Sequence, residues 1–137
     1  MFGWFQHPRY DLLIKPERIT LANGVVRVEV EPRLSVAETG RIIGVGGRPS
    51  ERAGRVIELL GPVSPAERPR FEERRRAFVA VFRHLICAAQ KKFVLKLRPH
   101  VRVHGASVLH PLLEGHEQRF LREALEHAGA MTVEFAA

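Results

Sequence analysis

Residues 64–92 read SPAERPRFEERRRAFVAVFRHLICAAQKK, and the other predicted elements pack against this segment. Its apolar residues recur at the spacing of a helix with 3.6 residues per turn. They are Phe71, Phe78, Phe82, Leu85 and Ala89, with Val79 and Ile86 one position along. Ser64 supplies an N-cap and Pro65 the first helical position, whereas Pro69 loosens the first turn. We therefore predict a long helix, regular from about Arg70 onward, that packs its phenylalanine face onto a sheet.

Short segments with a strand pattern lie on both sides of this helix. The predicted antiparallel meander before it has strands at 12–15, 18–22, 25–30, 34–37 and 41–45. Asn23-Gly24 is the strongest hairpin signal. The pattern favours a short helix at 50–55 and leaves 56–60 open between strand and helix. Beyond the long helix we predict extended runs at 93–97 and 101–104, a helix at 115–127 and a strand at 131–135.

These elements predict an α/β (α+β) protein in which one mixed sheet combines the meander with two later strands, with both helices packed on it. The chain has 137 residues, 45% of them hydrophobic and 27% charged, as expected for one globular domain. No apolar run approaches the roughly 18 residues of a membrane span. The lone Cys87 indicates a reducing compartment. We expect a cytoplasmic, at most membrane-peripheral protein, with an apolar tip at 1–10 and one domain at 11–137.

The positive charge of the chain points to an acidic partner. The 22 lysines and arginines exceed the 15 acidic residues by seven. This excess suits binding to an acidic protein, an anionic lipid or nucleic acid. The alternative is an ordinary protein surface that is rich in arginine. The densest basic run predicts a docking face at Arg70, Arg74, Arg75 and Arg76. The alternative is a solvated helix face on which neighbouring glutamates pair with these arginines at i,i+4 spacing.

The N-terminal tip contains three large aromatic residues, Phe2, Trp4 and Phe5. Such rings are costly to leave in water, so two interpretations follow. The terminus either folds back onto the domain or anchors the protein to a partner or to an anionic membrane surface.

Several catalytic chemistries are not expected from these residues. Asp11 is the only aspartate, and a two-metal nuclease site needs three or four clustered carboxylates. The glycine-rich run 44–48 lacks both phosphate-loop patterns, which favours a turn at the end of a strand. His100 and His104 alternate onto one strand face with Arg102 between them, and that charge repels a metal cation. We therefore expect no metal site and no cofactor.

Two segments, 31–46 (EPRLSVAETGRIIGVG) and 117–134 (EQRFLREALEHAGAMTVE), resemble segments of bacterial actins of the rod-shape-determining (MreB) family. The order of the predicted elements is similar to that of the first subdomain in the actin and ribonuclease-H-like superfamily. The resemblance runs through nearly all of this chain but covers less than half of a family member. It implies an actin-like subdomain with a role linked to cell shape and the cytoskeleton.

The sequence departs from this family where the family binds nucleotide. Lys15, Glu17 and Arg18 stand where the resemblance places an acidic residue, a glycine and a threonine. A lysine removes the carboxylate that holds magnesium, and Pro16 removes an N–H donor from this degenerate phosphate hairpin. We therefore expect a non-catalytic binding or scaffold protein that does not hydrolyse ATP. Its expected partner is a protein or a second copy, joined through exposed strand edges; the alternative is a basic nucleic-acid-binding domain.

Overall fold

The computed structural model describes residues 7–47, 54–61, 72–93, 96–109, 113 and 115–136. Within these ranges the chain forms eight strands, two α-helices and a short 3-10 helix. The strands are β1 (Arg9–Lys15), β2 (Arg18–Ala22), β3 (Arg27–Val30), β4 (Arg33–Val36), β5 (Ile42–Val45), β6 (Arg55–Glu58), β7 (His100–His104) and β8 (Thr132–Phe135). The helices are α1 (Glu72–Ala89), the 3-10 helix (Ala106–Leu109) and α2 (Glu117–Ala128).

Five strands form a mixed sheet in the order β3-β2-β1-β7-β8. The central strand β1 is antiparallel to β2 and parallel to β7, and β8 extends the parallel part beyond β7. β2 and β3 are antiparallel, so the first three strands are a meander. This arrangement confirms the predicted α/β class with a mixed sheet of an N-terminal meander and two later strands.

The prediction of a five-stranded meander is wrong beyond β3. β4 and β5 pair with β6 in a separate antiparallel sheet of order β5-β4-β6. Pro32, two residues beyond the end of β3, has no N–H to donate to a sheet ladder, which explains why the chain leaves the first sheet there. Of residues 56–60, left open between strand and helix, 56–58 belong to β6 and 59–60 form a turn. The predicted short helix at 50–55 is wrong at residues 54 and 55, since Arg55 begins β6, and residues 50–53 lie outside the described ranges.

The two helices cover one face of the five-stranded sheet. α1 packs against β2 and β3, α2 packs against β8, and the two helices pack against each other. Phe78 lies at their junction, with its ring centroid 5.3 Å from that of Phe120 in an edge-to-face arrangement. Leu34 and Leu59 of the small sheet and its adjoining turn join the same core. The phenylalanine face of α1 is therefore buried on a sheet, as its spacing predicts.

The boundaries of the helices follow from their end signals. The predicted start of α1 at Ser64, with Pro69 in its second turn, lies outside the described residues. α2 ends where Gly129 adopts a φ of 118°, a left-handed conformation that glycine adopts without a steric penalty. The guanidinium group of Arg98 donates hydrogen bonds to the Gly129 and Ala130 carbonyls just beyond this end, at 3.3 and 2.8 Å. A cation there also opposes the negative end of the helix dipole.

The Asn23-Gly24 hairpin forms, but with a longer loop than a two-residue turn. The Asn23 side-chain oxygen accepts hydrogen bonds from the N–H groups of Val25 and Val26, at 2.8 and 2.9 Å. Both residues are thereby held in the turn, and Val25 is 85% exposed. β3 consequently begins at Arg27, two residues later than predicted.

Gly44 and Val45 of the glycine-rich run 44–48 end β5, and Gly46 and Gly47 form the bend that follows it, in agreement with the predicted turn at the end of a strand. Gly46 and Gly47 have φ values of 69° and 63°. The Gly47 N–H donates to the carboxylate of Glu31 at 2.8 Å, and this bond lowers the pKa of that carboxyl. The extended run predicted at 93–97 forms no strand at residues 93, 96 and 97, and residues 94–95 lie outside the described ranges.

Candidate functional site

The second face of the five-stranded sheet, which we call the open face, points away from both helices. Successive side chains of a strand point to opposite faces of the sheet. Where one residue points into the core, its neighbours along the strand therefore point to the open face. On β1, Tyr10, Leu12 and Ile14 are buried, whereas Arg9 and Asp11 are exposed. The open-face residues of the three parallel strands are Arg9, Asp11, Leu13, Lys15, His100, Arg102, His104, Thr132 and Glu134.

The strand register arranges these side chains in rows that cross the sheet. Arg9 of β1 lies opposite His100 of β7, and His100 lies opposite Thr132 of β8. The next row joins Asp11, Arg102 and Glu134 in the same way. Opposite side chains on one face of a sheet lie close enough to interact. Charges of both signs therefore converge on one small area.

An open depression of about 230 Å³ lies over these two rows. Its lining contains all six residues of the rows together with Tyr10 and Val101. It lies toward the amino-terminal ends of the parallel strands β1, β7 and β8, away from the hairpin at residues 15–18. It is the site that the tertiary structure adds to the sequence analysis.

His100 lines the depression, His104 contacts Asp11 of the lining, and His7 contacts the His100 ring. His104 donates from Nε2 to the Asp11 carboxylate at 2.8 Å, across strands β7 and β1. The Nδ1 atom of His100 lies 2.7 Å from the hydroxyl oxygen of Thr132. His7 donates from Nδ1 to the Arg98 carbonyl at 2.7 Å, and its ring stands edge-on to that of His100. These imidazoles hold neighbouring polar groups in place.

Arg9, Arg102 and Glu134 differ from Asp11 and from the paired charges of β2 and β3 on the same face. Within the described part of the chain, none of the three makes an ion pair within 4 Å. By contrast, Glu29 of β3 accepts hydrogen bonds from Arg27 and Arg18 at 2.7 and 2.8 Å. The bond from Arg27, reinforced by the positive charge of both arginines, lowers the pKa of Glu29. Apart from Lys15 at the hairpin end of β1, the charges of this face that have no ion pair among the described residues lie at the depression and not on β3.

The predicted basic docking face has a different composition from the one expected. Arg74 is only 6% exposed, and its Nη1 donates to the carbonyls of Glu58, Leu59 and Gly61 at 2.6, 2.8 and 3.3 Å. Placing Arg74 on a docking face is therefore wrong, because its guanidinium group joins α1 to the end of β6. Spacing alone cannot separate an arginine that binds buried carbonyls from one that faces water.

The remaining residues of that face have mixed environments. Arg75 is half-buried, and its Nη2 lies 3.7 Å from the Glu123 carboxylate of α2. Arg76 is exposed, while Arg70 lies outside the described residues. Of the predicted face, Arg76 alone is seen as an exposed cation in the part of the chain that the structure describes.

The other predicted positions lie apart from the depression. Lys15, Glu17 and Arg18 are exposed at the turn between β1 and β2, and Arg18 pairs with Glu29 at 2.8 Å. The anchor residues Phe2, Trp4 and Phe5 fall in residues 1–6, outside the described ranges. Those three residues stay a prediction.

Two features of the described residues bear on the expected chemistry. Among the described residues, no group of three or more histidine, cysteine, aspartate or glutamate side chains is placed to hold a metal ion. Over the same residues, neither helix has the length and apolar character needed to cross a membrane. Cys87 is exposed on α1.

The depression was not predicted because the predicted first strand, 12–15, is too short. In the structure β1 begins at Arg9. The alternation of Arg9, Asp11 and Leu13 with Tyr10, Leu12 and Ile14 was a signal for the longer strand. The strand pattern, however, does not predict which strands become neighbours. The depression also requires β8 to pair with β7.

The chain was compared with known proteins by family and by sequence. No known family profile matches it, and no curated protein does. The resemblance to bacterial actins therefore rests on the two segments and on the order of the elements.

Proposed function

We propose that this chain is a non-catalytic binding or scaffold protein of actin-like subdomain topology, which acts in the cytoplasm with the cytoskeleton that sets bacterial cell shape. The observation that carries the non-catalytic part is the hairpin between β1 and β2. There Lys15 and Arg18 are exposed at the positions that the resemblance assigns to a magnesium-side carboxylate and a phosphate-binding turn.

The element order supports the actin-like part of the proposal. Three antiparallel strands, an inserted small sheet and two helix–strand units follow one another, with β1 in the centre of the sheet. A sheet with one polar face leaves that face available for contacts with a partner. Fold alone does not define a role, so the link to cell shape rests on the resemblance.

The first experiment tests catalysis and binding separately on the full chain. We expect no saturable binding of magnesium-ATP in calorimetry and no phosphate release above that of a buffer blank. We also expect the protein to co-sediment with filaments of a bacterial actin. Saturable ATP turnover would overturn the non-catalytic role, and absence from the filament pellet would overturn the cytoskeletal role.

Variants separate the two candidate contact regions. Arg76→Glu reverses an exposed charge on α1, and deletion of residues 1–5 removes the aromatic tip. Reduced sedimentation of one variant identifies the region that binds; Arg41→Glu, at an exposed turn beside the small sheet, is the matched control for charge. If filaments do not bind but nucleic acid does, with an affinity that falls steeply as salt rises, the function is nucleic-acid binding instead.

A further inference from the structure

We infer that the depression over β1, β7 and β8 binds a compact zwitterion, a molecule of amino-acid size that carries a carboxylate and an ammonium group. This inference goes beyond the scaffold role, because nothing in that role requires a small ligand. It rests on four charged side chains, one hydrogen bond and the size of the depression.

The cationic side of the site consists of two guanidinium groups. Arg9 and Arg102 both line the depression, come from adjacent strands and are exposed. Within the described residues neither has an ion-pair partner within 4 Å. A guanidinium group presents parallel N–H donors whose spacing matches the two oxygens of a carboxylate. Two such groups beside one depression favour a ligand oxyanion.

The anionic side of the site is Glu134. Two carboxylates border Arg102 in its row, but Asp11 already accepts a hydrogen bond from His104 at 2.8 Å. Glu134 has no such partner in the described part of the chain. A simple anion held by the arginines would be repelled by Glu134, and a simple cation would be repelled by the arginines. A ligand with both charges satisfies both sides.

The size of the depression sets the size of the ligand. Its volume of about 230 Å³ lies below the range of roughly 300–1,000 Å³ typical of pockets for drug-sized molecules. Thr132 and His100 add a hydroxyl group and an imidazole to the lining, in contact with each other at 2.7 Å. The lining is therefore mostly polar, which suits a small, fully charged molecule.

The experiment compares two probes that differ by a single charged group. Glycine carries a carboxylate and an ammonium group, whereas acetate carries the carboxylate alone. Each is titrated into the full chain at constant ionic strength while backbone amide signals are followed by NMR. We expect glycine to shift the signals of residues 100–102 and 132–134 saturably, with an affinity about tenfold higher than that of acetate.

Variants assign the effect to the proposed groups. Combining Arg9→Gln with Arg102→Gln is expected to weaken glycine binding about tenfold. Glu134→Gln is expected to weaken glycine binding and to strengthen acetate binding, because it removes the ammonium partner and the repulsion together. Arg41→Gln removes one exposed cation beside the small sheet and is expected to leave both affinities unchanged.

Three results would overturn the inference. Shifts that never saturate would show that neither probe has a site. Tighter binding of both probes to Glu134→Gln would identify a plain anion site. A loss with Arg41→Gln equal to that of the double variant would attribute binding to the overall positive charge.

Discussion

The two faces of the five-stranded sheet are made from alternate residues of the same strands, yet they have opposite properties. The helix-covered face contributes Leu12, Ile14 and Val103, each at most 2% exposed, to a continuous core. The open face presents charged residues such as Arg9 and Arg102 to water. The same strands therefore form two different surfaces, because successive side chains point to opposite faces of the sheet.

This difference separates stability from recognition. Burial of apolar side chains contributes roughly 25 cal/mol per Å² removed from water, so the covered face supplies most of the stabilisation of the sheet. Exposed charges contribute little to folding, because water screens them. The open face can consequently change its chemistry without unfolding the protein. Five substitutions test this separation.

The largest loss is expected from Leu12→Ala on the covered face. Leu12 is 1% exposed in the central strand, and its truncation leaves a cavity among well-packed neighbours. We expect the free energy of unfolding in urea to fall by about 2–5 kcal/mol. A loss below about 1 kcal/mol would mean that the core is not organised around β1.

Arg74→Ala is expected to cost about 2 kcal/mol of unfolding free energy. The substitution leaves the carbonyls of Glu58 and Leu59 without the charged donor that now reaches them. Urea unfolding measures the change, with Arg76→Ala on the exposed side of the same helix as the control. Equal effects of the two variants would contradict a structural role of Arg74.

Tyr10→Phe is expected to raise stability by about 1 kcal/mol. The Tyr10 hydroxyl lies on the covered face with no hydrogen-bond partner among the described residues, and its burial raises the pKa of the phenol. Phenylalanine keeps the ring and removes the unsatisfied group. The thermal midpoint measures the result, and a lower midpoint would reveal a partner for the hydroxyl.

Asp11→Ala tests the open face next to Leu12 on the same strand. The pair that Asp11 forms with His104 is exposed to water, with side-chain exposures of 53% and 38%. We expect stability to change by less than about 0.5 kcal/mol in the same urea assay. A loss as large as that of Leu12→Ala would abolish the distinction between the two faces.

The smallest effect is expected from Glu29→Gln, and it should be measurable as a change in how stability depends on pH in the acidic range. The pKa of Glu29 is lowered in the folded state by Arg27 and Arg18, so its contribution is present above the pKa of the unfolded chain. It is lost as the pH falls through the folded pKa. Between about pH 6 and pH 3, stability should fall less steeply in the variant than in the wild type. Parallel curves would contradict the pKa shift.

Local patterns predicted much of the fold. The spacing of Phe78 and Phe82 predicted a helix with one buried face, and Gly129 predicted the end of α2. The predicted β1 was too short because Arg9 and Asp11 add no apolar signal, although their alternation with Tyr10 and Leu12 indicated the longer strand. Local patterns also placed Arg74 among surface cations, since its carbonyl partners come from residues 58–61, more than ten positions away.

The α/β fold class, the positions of α1 and α2 and the lack of clustered aspartates could all be predicted from the sequence, because they depend on near neighbours along the chain and on composition. The departure of β4 and β5 from the main sheet and the position of β7 between β1 and β8 depend on strand pairing in three dimensions. Strand pairing joins residues about 90 positions apart, as between Asp11 and Arg102. The depression depends on that pairing, because its charges meet only when distant strands become neighbours.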